Sequence, residues 1–114
     1  MAIEITARHL RVSHEQQAFA RERAEQLMAE FPKIEHVHVI LDMQRHQFCA
    51  EFVVQHKALA KVEAKENCDD LIAGIDLAYE KVEKQLRKHR DKVVEAFAAL
   101  NDHGHELIEI QYLH

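Results

Sequence analysis

Three neighbouring segments decide the fold. They are Ile34-Glu35-His36-Val37-His38-Val39-Ile40-Leu41-Asp42, Gln47-Phe48-Cys49-Ala50-Glu51-Phe52-Val53-Val54-Gln55 and Leu59-Ala60-Lys61-Val62-Glu63-Ala64-Lys65. Each repeats with period two, as a strand with one covered face must. In the first, Val37, Val39 and Leu41 share a side, opposite His36, His38 and Ile40. The second puts Phe48, Ala50, Phe52 and Val54 together, and the third sets Ala60, Val62 and Ala64 against Lys61, Glu63 and Lys65. The connections Met43-Gln44-Arg45-His46 and His56-Lys57-Ala58 are short enough for successive antiparallel hairpins. Neither contains glycine, so the turn types stay open.

Working outward, residues 2–8 alternate again, with Ile3 and Ile5 facing a core and Glu4, Thr6 and Arg8 facing away. Ser13 then reads as a helix N-cap, with Gln16 at the reciprocal capping-box position. The helix it opens should run to about Glu30, with Phe19, Arg23 or Ala24, Leu27, Met28 and Phe31 on its inner side, and Pro32 stops it. Downstream, a long helix is predicted from near Asn67 or Asp69. Leu71, Ile75, Ala78, Val82, Leu86, His89 and Val93 form its buried stripe; it can reach Leu100, and Gly104 can end it. The order β-α-β-β-β-α predicts an α+β two-layer sandwich, a four-stranded sheet with both helices on one face. Residues 1–100 make the domain, and residues 101–114 a C-terminal tail.

A chain of 114 residues fits one domain with an ordinary core. No apolar run approaches the roughly 20 residues of a membrane span. The opening Met1-Ala2-Ile3-Glu4-Ile5 shows no basic segment followed by a long apolar one, so no secretory signal is read and the cytoplasm is expected. Cys49 and Cys68, two thiols outside any C-x-x-C pair, agree with a reducing compartment.

The formal net charge of −5 argues against nucleic-acid binding taken as a total. Its distribution argues otherwise. Residues 81–92 hold six cations against Glu83 and Asp91, a local +4 that leaves −9 for the rest. Local patches set the attraction for a polyanion at contact distance, because salt screens charges beyond about 8–10 Å. At 100° per residue, Lys81, Lys84, Lys88 and Lys92 fall within about 80° of one another, and Arg87 and Arg90 extend the charge around the same turns. Such a row can follow a phosphate backbone without reading bases. By charge alone it equally describes a solvated helix face with pairs such as Glu80–Lys84.

The run Lys81-Val82-Glu83-Lys84-Gln85-Leu86-Arg87-Lys88-His89-Arg90 resembles the basic helix of the short ribosome hibernation-promoting factor and ribosome-associated inhibitor (sigma-54 modulation) family. The opening Ile3-Glu4-Ile5-Thr6, the Val-rich strand at 36–41 and Asp70-Leu71-Ile72-Ala73-Gly74-Ile75-Asp76 resemble it in the same order, so that about residues 1–93 are covered. The resemblance implies a fold like the double-stranded-RNA-binding domain and no catalytic activity. It implies a cytoplasmic stress or stationary-phase factor on the 30S subunit, held on 16S rRNA where it excludes tRNA and mRNA. The implied rRNA contacts are Lys81, Lys84, Lys88 and Arg90, with Arg23 on the first helix; Arg87 and Lys92 join them from the charge pattern. Gln26 stands where the family commonly carries a second basic residue on that helix.

Other constellations are thinner. His36 and His38 share a strand face and His103-Gly104-His105 follows the long helix, but neither has a third ligand at a recognised zinc spacing. No metal or other cofactor is expected. Ser13 is used as a cap, and Cys68 has no partner base, so no catalytic site is read. In the tail, Ile108, Ile110 and Tyr112 alternate with Glu109, Gln111 and Leu113. That pattern fits a strand, and either fold-back or a homodimer contact by strand addition would cover it. The alternative to an RNA role is a protein–protein module of the same fold, self-associating through this tail.

Overall fold

The computed structural model describes the backbone of residues 2–102 and the side chains of residues 2–90. Its elements are β1 (Ile3–Arg8), α1 (His14–Glu30), β2 (Ile34–Gln44), β3 (Gln47–His56), β4 (Ala60–Cys68) and α2 (Leu71–Asp102). Two compact units divide the chain, Met1–Glu83 and Lys84–His114. The first holds the sheet, α1 and the opening turns of α2.

Strands stand in the order β1-β2-β3-β4. β1 runs parallel to β2, with Ile3 opposite Val37 and Ile5 opposite Val39. The other two pairs are antiparallel, and Phe52 lies opposite both Val39 and Ala64. This register brings the alternating apolar positions to one face. Val37, Val39, Leu41, Ala50, Phe52, Val54, Val62 and Ala64 are all buried there. The helices cover that face: Tyr79 of α2 meets Phe52 edge-on, and Arg23 of α1 reaches Tyr79 and Asp76. The predicted two-layer α+β sandwich is therefore the observed one.

Ser13 caps α1 as expected. The Gln16 N–H donates to Ser13 Oγ at 3.1 Å, and the Ser13 N–H donates to Gln16 Oε1 at 3.0 Å. The inner line of this helix differs from the expected one. Ala20, Ala24, Leu27 and the capping residue Phe31 are buried, while Phe19 and Met28 are half-buried and Arg23 turns toward α2. Two alanines four residues apart let the helix lie close on the sheet, which larger side chains would hold off.

Strand boundaries also differ. β2 runs to Gln44, so only Arg45 and His46 form the turn, at φ 50° and 68°. Two consecutive left-handed residues are what a two-residue hairpin needs to match strand twist, and here the chain forms it without glycine or asparagine. β4 continues to Cys68 because Asn67 and Cys68 pair with Cys49 and Phe48. The second helix consequently begins at Leu71 rather than near Asn67 or Asp69. Asp70 serves its start, its Oδ2 accepting from the Ala73 N–H at 3.0 Å. One turn later, a Cβ at Gly74 would lie 3.4 Å from that of Cys68 and 3.9 Å from that of Ala50. The helix thus passes close over β3 and β4.

In the second unit the backbone of residues 84–102 is the continuation of α2, where Leu86 is buried and His89 half-buried. The Val93 side chain, the helix end expected at Gly104 and the tail contact expected at Ile108, Ile110 and Tyr112 lie outside the described residues. Among the described residues no helix is long and apolar enough to cross a membrane.

Candidate nucleic-acid interface

The candidate surface is built on α2. Burial of Leu71, Ile75, Ala78, Val82 and Leu86 fixes which side of the helix is covered. The cations between these positions are thereby turned outward. Lys81 belongs to the first unit; Lys84, Arg87, Lys88 and Arg90 follow in the second on the same helix, and all five are exposed. The side chain of Lys92 lies outside the described residues.

These cations do not stand in equal surroundings. Lys81 Nζ is paired with Glu66 Oε1 of β4, so its ammonium is drawn toward the sheet edge. Among the described residues no carboxylate pairs with Lys84 or Lys88. The pair Glu80–Lys84 that a solvated helix face would form is not found among the described residues, while the neighbouring Lys81 pairs across to the strand. Two like charges four residues apart repel modestly, so Lys84 and Lys88 form a site that gains from an added anion.

Arg23 has a different setting from the rest. Its Nε donates to Asp76 Oδ1 at 2.8 Å and its Nη1 to Gln26 Oε1 at 3.1 Å. The guanidinium lies 4.6 Å from the centre of the Phe19 ring and 5.7 Å from that of Tyr79. The hydrogen bond to Asp76 raises its pKa further, so the charge is permanent. This arrangement fastens α1 to α2 and engages two of the three guanidinium nitrogens, Nε and Nη1. Gln26, neutral and three residues on along the same helix, completes it as an acceptor. The carboxylates Asp76 and Glu66 were not singled out from the sequence; their partners are 53 and 15 residues away, and no local spacing marks such pairs.

The histidines on the uncovered sheet face bond locally. His38 Nε2 is 2.8 Å from Thr6 Oγ1, and Glu4 Oε1 lies 3.7 Å from His36 Nε2 and 3.9 Å from His38 Nδ1. Among the described residues no group of three or more His, Cys, Asp or Glu is arranged to hold a metal ion. The pair at His103 and His105 lies outside them. Cys49 is buried, and burial pushes its thiol pKa up, away from nucleophilic use.

Comparison with known proteins bears on this surface. Residues 3–94, which contain the sheet, both helix starts and the cations through Lys92, match the family model described as Sigma 54 modulation protein / S30EA ribosomal protein. A ribosome hibernation promoting factor of Azotobacter vinelandii is 30% identical over 95 residues, covering 83% of this chain and 88% of the relative. One of Pseudomonas putida is 28% identical over 92 residues, covering 81% and 89%. Among solved structures, a ribosomal subunit interface protein from Coxiella burnetii superposes with a TM-score of 0.68 at 19% identity, over 80% of this chain and 99% of that one. The N-terminal domain of Thermus thermophilus Protein Y gives 0.66 at 23% identity, over 77% and 98%. At those identities the two structures show the shared fold. With its strands in the same order, its basic second helix inside the matched span and four-fifths of its length aligned to curated relatives, the chain belongs to the Sigma 54 modulation protein / S30EA ribosomal protein family.

Proposed function

We infer that this protein is a cytoplasmic ribosome hibernation factor that binds the small subunit through rRNA phosphates and, by occupying the tRNA and mRNA site, blocks translation sterically. The observation that carries the reading is the outward row Lys84 and Lys88, flanked by Arg87 and Arg90, inside the span shared with the family. Ammonium and guanidinium groups at helical spacing suit backbone phosphates and need no base readout. No step of this function requires bond chemistry, so the domain acts as a plug without a catalytic group.

Salt dependence tests it. Affinity for a polyanion falls with log salt by about 0.7–0.9 per neutralised phosphate, so three to four contacts give a slope of about −2 to −3.6. Co-sedimentation with purified small subunits over 50–200 mM salt measures it. Replacing Lys84 and Lys88 with glutamine is expected to flatten the slope by nearly 2. Arg23→Gln, by contrast, is expected to leave the slope unchanged, because its guanidinium is bonded to Asp76 and Gln26. An unaltered affinity and slope in the double variant would remove the basic row from the mechanism. A wild-type chain that never sediments with subunits would favour the protein–protein module instead.

A further inference from the structure

We propose that Glu66 sets the strength of polyanion binding by holding Lys81 out of the basic row, an inference that rests on the rRNA reading for its biological meaning. The juxtaposition is specific to the fold. Glu66 lies on β4 in line with Val62 and Ala64, whose side chains are buried on the helix-covered face. Its carboxylate therefore rises at the edge of that face, under α2, where it meets Lys81. The Glu66 side chain is only 21% exposed, while that of Lys81 is 58% exposed. The anion is fixed by the sheet and the cation is the movable partner. By position on the helix Lys81 precedes Lys84 and Lys88 by one and two turns, so it would be the first rung of the row.

A phosphate at that rung must compete with the carboxylate. An exposed pair of this kind holds its cation with an equilibrium constant of about one to five. Glu66 also stays behind as a negative charge within a Debye length of an incoming phosphate. Both effects lower affinity and remove one phosphate contact from the count.

The test uses the full chain, Glu66→Gln, Lys81→Gln and the double variant, on two probes: immobilised heparin and purified small ribosomal subunits. Far-UV circular dichroism and melting first establish that each variant is folded; Glu66→Thr, uncharged and strand-favouring, takes the place of the glutamine variant if that one is not. Glu66→Gln is expected to elute from heparin at higher salt. On subunits it should bind about two- to five-fold more tightly at 0.1 M salt, with a slope steeper by about 0.7–0.9. Lys81→Gln alone bares the Glu66 carboxylate and should weaken binding without flattening the slope, since its charge is already engaged; added to Glu66→Gln, it should cancel the gain. Unchanged heparin elution in the folded Glu66 variant overturns the proposal. So does a gain that survives loss of Lys81, which would mean that Glu66 acts on the polyanion without Lys81. If the heparin pattern holds while no variant binds subunits, the ribosomal reading fails and the role of Glu66 stands.

Discussion

Asp42 shows how far single residues depend on distant partners. Its carboxylate is buried at the end of β2 and accepts from the Met43 N–H at 2.8 Å, while His9 Nδ1 lies 2.9 Å from the same oxygen. The His9 imidazole chiefly, then the Met43 N–H, hold the Asp42 pKa below its ordinary value, although burial pushes the other way. A carboxylate depressed in the folded state contributes stability that is full above its unfolded pKa, about 3.9, and is lost as pH falls through the folded value. Asp42→Asn is therefore expected to flatten the fall in melting temperature below about pH 4, a change that an acid titration followed by circular dichroism would register. A wild-type-like acid limb would show that other carboxylates carry it. Nothing in the sequence marks this site, because His9 and Asp42 are 33 residues apart and meet only through the β1–β2 register. The same holds for Arg23, an implied rRNA contact in the sequence whose partner Asp76 only the fold brings beside it.

At the scale of elements, legibility follows locality. The capping box at Ser13 and Gln16 and the stop at Pro32 are local signals, and α1 was readable to its last residue. Hairpin turns were not, because this chain puts ordinary residues where glycine would announce the conformation. Ala60 is the plainest case: it closes the β3–β4 turn at φ 63°, paired with His56. His56 Nδ1 supports that turn by accepting from the N–H groups of Ala58 and Leu59 at 3.1 and 3.3 Å. A left-handed conformation costs an alanine about 1–2 kcal/mol that glycine does not incur, while glycine loses part of this through a freer unfolded chain. Ala60→Gly is expected to stabilise the domain by about 0.5–1 kcal/mol in urea denaturation. A destabilised variant would mean that the turn does not hold this conformation in solution. The basic helix lies between these extremes: its cations and its buried stripe were both legible, but which cations remain available was not, since Glu66 arrives from a strand.

For the whole molecule, the two units differ in charge: ten cations against fifteen carboxylates in residues 1–83, and five against five in residues 84–114. An acidic chain approaching a polyanion gains nothing at long range, so contact depends on the cationic helix and weakens quickly with salt. Family membership was legible because motifs in one order along 92 residues carry more information than total charge. Topology has a further consequence, which concerns time. β2, β3 and β4 are joined by tight turns, whereas β1 must wait for a partner 34 positions along the chain, Val37 for Ile3. Closing that longer loop is entropically slower than closing a hairpin, and the parallel pairing rewards it less. During synthesis β1 leaves the ribosome before the other three strands and is thus the last of the four to find its place. In stopped-flow refolding, Phe52→Leu is expected to slow folding, with a φ-value of about 0.5 or more. Ile5→Ala should mainly speed unfolding, with φ below about 0.3. The reverse order would place the nucleus at β1, and the amino-terminal strand would then be the seed of the fold instead of its closing clasp.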